Sequence, residues 1–152
     1  MDQIDRDIIG LLMQNARMSY RELGDRVALS ANAAAERVRR LQERGVIAGF
    51  QAIVDPDAAG RGLVALIDVR MGGPTDAERF ERLLRSQETV TDAAHVTGRF
   101  DYQLRAACRD AAELDELIRT LKTKGGIVET DTRIALRTVV RRSGPVPRRN
   151  GP

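Results

Sequence analysis

The 152-residue sequence has very little sulfur, imidazole or aromatic chemistry: one cysteine, one histidine, no tryptophan, and 3% aromatic residues. A single cysteine, Cys108, excludes a disulfide within the chain, and Cys108 and His95 together are too few ligands for a zinc site. We therefore expect no bound metal, and we expect Cys108 to be a packed core residue.

Long apolar runs are also missing. The longest apolar stretches, such as Gly62–Val69 and Ile134–Val140, are far shorter than the roughly 20 residues that cross a bilayer. No apolar leader segment follows Met1. The sequence thus predicts a globular protein that is located in the cytoplasm and has no membrane partner.

Catalytic signatures are absent as well. His95 and Cys108 lie in predicted strands with no nucleophile motif around them. Gly60-Arg61-Gly62 lacks the Lys-Ser/Thr of a phosphate-binding loop and the helix that follows a dinucleotide site. We expect neither an enzyme nor a bound cofactor.

Basic charge is concentrated at the C-terminus. The net charge is +3, but residues 1–54 carry +1, residues 55–140 carry −2 and residues 141–152 carry +4. The total charge therefore says little about nucleic-acid binding. Evidence for DNA binding has to come from the positions of basic residues on individual elements.

Residues 1–45 predict a domain of three short helices. Asp2 and Ser30 are N-cap residues for the first and third, and Ser19-Tyr20-Arg21-Glu22 has the spacing of a capping box for the second. The third helix runs to Arg44 and is stopped by Gly45. Two caps separated by a short turn predict a winged-type helix-turn-helix.

The third helix offers a surface suited to a DNA major groove. If Ala34, Val38 and Leu41 face inward, the step of about 100° per residue places Asn32, Glu36 and Arg39 outward. Asn32 is able to read adenine, and arginines reach guanine or phosphate. Glu36 repels phosphates but is able to accept a hydrogen bond from cytosine. A plain three-helix bundle with solvated charges is the alternative. The DNA-binding candidates are Arg21, Ser30, Asn32, Glu36, Arg37, Arg39, Arg40 and Arg44.

The rest of the chain alternates strands and helices. Residues 46–62 predict a linking strand at Val46–Val54 and a linker at Asp55–Gly62. Residues 63–140 have the order βαββαβ of a ferredoxin-like domain, which makes the whole chain α+β. Residues 141–152 predict a disordered basic tail. The predicted strands are Leu63–Met71, Val90–Thr97, Tyr102–Cys108 and Ile127–Val140, and the helices are Asp76–Ser86 and Ala111–Lys122.

Several segments of the chain form a recognisable series. In the first half these are Asp5-Arg6-Asp7-Ile8-Ile9, Ser19-Tyr20-Arg21-Glu22-Leu23, Ala28-Leu29-Ser30 and Arg37-Val38-Arg39-Arg40-Leu41, followed by Gly45-Val46-Ile47. In the second half they are Val96-Thr97-Gly98-Arg99-Phe100-Asp101-Tyr102, Glu113-Leu114-Asp115 and Thr130-Asp131-Thr132. In this order the segments resemble the Lrp/AsnC, or feast/famine, transcription regulators, and the resemblance covers about residues 1–140.

The resemblance implies assembly and sensing. Family members form dimers through the linking strand, here Gln51–Val54, and through the sheets, and dimers often assemble into octamers. Amino acids or related small molecules bind between dimers. The implied effector-binding residues are Gly98, Arg99, Phe100, Asp101 and Tyr102, with hydroxyls from Thr130 and Thr132.

Two features of this loop leave alternatives open. The position of Arg99 is often acidic in relatives, and a basic residue there favours a ligand carboxylate over an ammonium group. The loop is alternatively a simple tight turn with Asp101 bonded to its own backbone, and alternating threonines are ordinary in strands.

Together these observations predict a sequence-specific transcription regulator that binds double-stranded DNA, associates with the nucleoid, and responds to an amino acid or a related small molecule. Two alternatives remain. One is an architectural DNA-binding protein of the nucleoid type, and the other is an amino-acid-binding regulatory subunit of a metabolic enzyme.

Overall fold

The computed structural model describes residues 1–73 and 77–139, which form two compact units, Met1–Ile53 and Val54–Val139. The domain boundaries predicted after residues 45 and 62 both fall in segments that are neither helix nor strand. The tail predicted at residues 141–152 lies outside the described residues.

The first unit consists of three helices whose starts match the predicted caps. Asp2, Ser19 and Ser30 each accept, through the side chain, a hydrogen bond from the backbone N–H three residues later, at 2.8, 3.2 and 3.2 Å. Each cap satisfies a backbone donor that the helix itself leaves without a partner. The helices are α1 (Gln3–Gln14), α2 (Tyr20–Arg26) and α3 (Ala31–Glu43).

The capping box predicted at Ser19 forms only in part. The Glu22 carboxylate accepts from Arg26, one turn further along α2, at 3.4 Å, because residues four apart on a helix are neighbours. A reciprocal box forms instead at the start of α1, where the Asp2 N–H donates to Asp5 Oδ2 at 3.1 Å.

The turn between α2 and α3 depends on a close backbone approach at Gly24. The Leu29 N–H donates to the Gly24 carbonyl at 2.9 Å. A Cβ at residue 24 would lie 2.5 Å from the Leu29 carbonyl oxygen, so a side chain there requires the backbone to move. This contact brings α2 and α3 together around a buried core of Ile8, Leu12, Leu23, Ala34, Val38 and Leu41.

The second unit is the predicted ferredoxin-like fold. Its four strands form an antiparallel sheet in the order β2-β3-β1-β4. The α+β architecture predicted from the sequence is confirmed. The elements are β1 (Leu63–Met71), α4 (Ala77–Arg85), β2 (Val90–His95), β3 (Tyr102–Cys108), α5 (Ala111–Gly125) and β4 (Ile127–Ile134).

One face of the sheet packs against α4 and α5. Ala65, Ile67 and Val69 alternate along β1 on this face and are fully buried, as the two-residue period of a strand requires. Cys108 is fully buried in the same core, as predicted. Burial raises the pKa of its thiol. The remaining core residues are Phe80, Leu84, Tyr102, Leu104, Ala106, Leu114, Leu117, Leu121 and Ile127.

The strand predicted at Val46–Val54 does not form. None of its residues is assigned to a strand, and none joins the four-stranded sheet of the second unit. A strand needs a neighbour to satisfy its backbone groups, and the sheet of the second unit is complete without this segment. Among the described residues, no pair of strands follows α3 within the first unit.

Two other strands are shorter than predicted. β4 ends at Ile134 rather than at Val140, and β2 ends at His95 rather than at Thr97. β1, to which β4 pairs, starts at Leu63, so Ile134 opposite Ala65 is close to the last position at which β4 has a partner.

The linker is fixed to the second unit by Arg61. Its guanidinium donates to the Ala107 carbonyl at 3.4 Å and to the Glu113 carboxylate at 3.2 Å. Glu113 is largely buried and also accepts from the Arg109 backbone N–H. The segment predicted as a linker is therefore anchored where it enters β1.

Candidate nucleic-acid and ligand-binding sites

The outward face of α3 carries three polar side chains predicted to read DNA. Asn32, Arg39 and Arg40 are exposed, whereas Ala34, Val38 and Leu41 on the opposite face are at most 2% exposed. The Ser30 cap fixes the start of this helix, and two of the remaining predicted contacts, Arg21 and Arg44, are exposed near the start of α2 and the end of α3. The helix-turn-helix thus presents one polar, partly basic helix face to solvent.

Arg37 does not belong to that face. Its guanidinium donates to Asp2 at 2.7 Å and to Asp5 at 2.8 Å, which joins α3 to the start of α1. These hydrogen bonds raise the pKa of Arg37. The pKa of Asp2 is lowered, first by its hydrogen bond from the Asp5 backbone and then by Arg37. Arg37, which the sequence predicts as a DNA contact, therefore links α3 to α1 in this structure.

Glu36 lies among the arginines of the reading face. Its Oε2 accepts from the Arg39 guanidinium and its Oε1 accepts from Arg40 Nε at 3.0 Å. The hydrogen bond from Arg39 is the main cause of a lowered pKa at Glu36, which keeps the carboxylate ionised. The sequence shows that Glu36 is charged, but it does not show that Arg39 and Arg40 both donate hydrogen bonds to its carboxylate.

The loop between β2 and β3 is held by Asp101. The Met71 N–H at the end of β1 donates to Asp101 Oδ2 at 2.7 Å, and the Asp101 N–H donates to the Val69 carbonyl at 2.8 Å. Asp101 is thus bonded to another strand, which corrects the alternative that its side chain closes a turn on its own backbone. Gly98 has a φ of +117°, a conformation that favours glycine.

Arg99 and Phe100 lie together at the tip of this loop. The Arg99 guanidinium is 5.2 Å from the centre of the Phe100 ring and forms an ion pair with Glu129. Glu129 also pairs with Arg70 at 2.5 Å. The basic residue that departs from the usual acidic one therefore has an acidic partner on β4.

The two threonines of β4 face away from that cluster. Thr130 lies opposite Val69 and Thr132 opposite Ile67 in the sheet, so both point to the helix-covered side. The Thr132 hydroxyl oxygen is buried and has no hydrogen-bond partner among the described residues. The structure thus brings Gly98–Tyr102 together but places Thr130 and Thr132 on the other side of β4 from the Arg99–Glu129 pair.

A groove beside Tyr102 was not predicted from the sequence. It has a volume of about 360 Å³ and lies between α4 and β2. The His95 ring stacks on Tyr102 with centroids 4.8 Å apart, and the Tyr102 hydroxyl lies 3.4 Å from Glu81 Oε1. Burial, followed by the charge of Glu81, raises the pKa of Tyr102. The predicted strands ending near His95 and starting at Tyr102 could have signalled this pairing across the hairpin, which the structure shows. Arg85 and Asp92 complete the charged rim.

The described residues contain no group of three or more His, Cys, Asp or Glu side chains arranged to hold a metal ion. Within the same residues, no helix is long and apolar enough to span a membrane.

Comparison with known proteins identifies both units. Residues 1–42 match the AsnC-type helix-turn-helix domain, and residues 64–145 match the Lrp/AsnC ligand binding domain. The chain belongs to the Lrp/AsnC family. The resemblance seen in the sequence is thereby confirmed. The two matches together show that this Lrp/AsnC protein is a DNA-binding transcriptional regulator with a ligand-binding domain.

Individual relatives span most of the chain. The leucine-responsive regulatory protein of Escherichia coli K12 is 32% identical over 142 residues, which are 91% of this chain and 87% of that protein. An HTH-type transcriptional regulator of Pyrococcus furiosus is 29% identical over 139 residues, 91% of this chain and 93% of that protein.

Two solved structures have the same fold. A transcriptional regulator of Neisseria meningitidis in complex with L-Met superposes with a TM-score of 0.87 at 28% identity and covers 94% of each chain. The leucine response regulatory protein of Mycobacterium tuberculosis superposes with a TM-score of 0.86 at 29% identity, covering 97% of this chain and 100% of that one.

Proposed function

We propose that this transcriptional regulator reads DNA by placing the exposed face of α3 in the major groove, and that an amino acid or a related small molecule bound to the second unit modulates that binding. The observation that carries the proposal is the division of α3 into a buried apolar side and an exposed side bearing Asn32, Arg39 and Arg40. Asparagine pairs with adenine and arginine with guanine through two hydrogen bonds each.

The remaining predicted contacts take supporting roles in the proposal. Arg21 and Arg44 are exposed, so each is available to bind a phosphate on either side of the groove. Ser30 caps α3 and fixes its start. Arg37 holds α3 against α1 and is removed from the set that contacts DNA.

The effector proposal places the ligand at the loop Gly98–Tyr102. The Neisseria relative binds L-Met, and a free amino acid carries one carboxylate and one ammonium group. Arg99 offers a partner for the carboxylate, and Asp101 Oδ1 offers one for the ammonium group while Oδ2 stays bonded to Met71. The ligand would then contact Asp101, the residue whose side chain is bonded to the end of β1.

The assembly proposal uses the exposed apolar residues of the segment that was predicted as a linking strand. Phe50 and Ile53 are 48% and 63% exposed, and exposed apolar residues close together often mark an interaction surface. We propose that this segment pairs with a second copy of the chain, giving a homodimer with two reading helices, and that dimers associate into an octamer.

The reading surface is tested by replacing Arg39 and Arg40 together with alanine. A duplex selected from a random pool by the wild-type protein should bind the R39A/R40A variant at least tenfold more weakly, because both arginines contact DNA. Fluorescence anisotropy at about 150 mM salt measures this.

Arg119→Ala is the matched control, since Arg119 is an exposed arginine on α5 that pairs with Asp115. Unchanged affinity of R39A/R40A would show that α3 does not read DNA through these residues. Equal wild-type affinity for the selected and random duplexes would favour an architectural protein over a sequence-specific regulator.

A further inference from the structure

We propose that Glu36 is a specificity-determining residue, which holds Arg39 and Arg40 in ion pairs that compete with DNA phosphates. The inference rests on the proposed reading surface and names the residue that regulates it. Its consequence is that α3 binds unrelated DNA more weakly than its exposed arginines alone would predict.

The geometry places one carboxylate between two guanidinium groups. Arg39 and Arg40 are three and four residues beyond Glu36, so both reach it from the next turn of the helix. Both carboxylate oxygens are used, one for each arginine. A phosphate offers guanidinium groups the same kind of paired, negatively charged oxygens. Glu36 thus forms with Arg39 and Arg40 the same kind of hydrogen-bonded ion pairs that DNA phosphates would form.

The side chains of these ion pairs are exposed, so a DNA phosphate is able to replace Glu36 as the partner of either arginine. The side chains of Arg39 and Arg40 are 65% and 68% exposed, whereas that of Glu36 is 38% exposed. Exposed ion pairs contribute little stability and are screened by salt, so a phosphate is able to displace Glu36 from either arginine. The carboxylate that remains then lies beside the phosphates and repels them, whatever the base sequence.

A cognate site offsets this repulsion. A cytosine amino group in the major groove donates a hydrogen bond to a carboxylate. At a site with cytosine opposite Glu36, the carboxylate therefore gains a hydrogen bond that unrelated DNA does not provide. Glu36 therefore weakens binding to unrelated DNA more than binding to its own site, and it raises the ratio between the two affinities.

The test compares Glu36→Gln with a variant that loses the same charge without releasing an arginine. Asp7 lies on α1 and accepts a hydrogen bond from the Gln3 amide at 3.1 Å, so Asp7→Asn serves as that control. On a random 30-bp duplex at about 50 mM salt, E36Q should bind roughly three- to tenfold more tightly than wild type, and D7N less than about twofold more tightly. The plot of log affinity against log salt concentration should also be steeper for E36Q by about one unit.

On the duplex selected by the wild-type protein, the gain in affinity for E36Q should be smaller, so that the ratio of selected to random affinity falls. The triple variant E36Q/R39A/R40A should show no gain over R39A/R40A beyond that of D7N, because no arginine remains to be released.

Three results would overturn the role of Glu36: an E36Q gain no larger than that of D7N, an equal gain on both duplexes, or a full gain in the triple variant. These are distinct from failure of the reading surface itself, which appears as unchanged affinity in R39A/R40A. Loss of affinity in R39A/R40A without any gain in E36Q leaves the reading surface standing and removes only the inference about Glu36.

Discussion

Three arginines within four residues of α3 have different surroundings. Arg37 lies against α1 and pairs with Asp2 and Asp5, while Arg39 and Arg40 lie on the exposed face. Arg39 is two helical steps of about 100° beyond Arg37, which turns its side chain to the opposite side of the helix. Residue type alone therefore does not show which of these arginines contacts DNA.

Replacing Arg37 with alanine should lower the thermal stability of the first unit, because the largely buried Asp5 carboxylate then loses its arginine partner. We expect the unfolding midpoint to fall by several degrees in Arg37→Ala and by no more than a degree or two in Arg39→Ala. Circular dichroism melts measure both.

The same ion pairs predict a dependence on pH. The pKa of Asp2 is lowered in the folded state from an ordinary value of 3.8. Its stabilising contribution is fully present above that ordinary value and is lost as the pH falls through the lower folded pKa. The difference in midpoint between wild type and Arg37→Ala should thus stay constant well above pH 3.8 and shrink as the pH is lowered below 3.8. A difference that stays constant below pH 3.8 as well would show that Arg37 stabilises the unit by packing rather than by charge.

The sequence was sufficient to predict helix starts and faces, because caps and apolar spacing are local signals. It predicted all three N-caps and the buried set Ala34, Val38 and Leu41. The partners of Arg37 lie 32 and 35 residues away, and a pattern of residue types carries no information about such distances. The partner of Asp101, 30 residues earlier, was missed for the same reason.

At the scale of elements, the β2–β3 loop and the end of β1 form one connected structure. Asp101 bonds to Val69 and Met71, at the point where the pairing of β1 with β4 shifts register. A β-bulge of this kind locally disrupts the ladder and leaves backbone groups that need other partners. Asp101 supplies one, so the loop and the bulge depend on each other.

Asp101→Asn separates the two proposed roles of this side chain. An asparagine oxygen still accepts from the Met71 N–H, but a neutral amide does not attract an ammonium group. We expect L-methionine or L-leucine to raise the unfolding midpoint of the wild-type protein, by an amount equivalent to about 2.7 kcal/mol at a hundred times the dissociation constant. The same amino acid should give a much smaller shift in D101N, measured by differential scanning fluorimetry.

Arg99→Ala provides the complementary variant for the carboxylate end of the ligand. If D101N responds as strongly as wild type, the ammonium group is held elsewhere, for example by Glu81 and Asp92 in the groove beside Tyr102. If none of the twenty amino acids shifts the wild-type midpoint, the ligand belongs to another chemical class.

Strand prediction succeeded where the chain contains both partners. β1 and β3 were predicted at their observed bounds, and both lie in the interior of the sheet. Val46–Val54 has the composition of a strand but does not join the four-stranded sheet, and composition does not show whether a neighbouring strand exists.

At the scale of the whole molecule, the exposed apolar residues Phe50 and Ile53 predict how copies assemble. Ile53→Asp places a charge on a residue that is 63% exposed in one chain and, under our proposal, buried between two. We expect the wild-type protein to sediment as a dimer or a larger assembly and I53D to shift toward the monomer at micromolar concentration. Analytical ultracentrifugation measures the masses.

Met13→Asp is the control, because Met13 is an apolar residue on α1 that is 42% exposed. It should leave the mass unchanged. Sedimentation of I53D at the wild-type mass would place the contact between copies elsewhere, whereas a monomeric wild-type protein would contradict the assembly proposal altogether.

The ion pairs on α3 also bear on how quickly the protein finds its sites. A regulator searches a genome by repeated short encounters with unrelated sequence, and time spent on each wrong site slows the search. Because Glu36 engages Arg39 and Arg40 again whenever a phosphate releases them, each such encounter is short. Glu36 lowers the affinity of α3 for unrelated DNA and therefore shortens the residence time on wrong sites. More of the protein is then free to bind the correct sites.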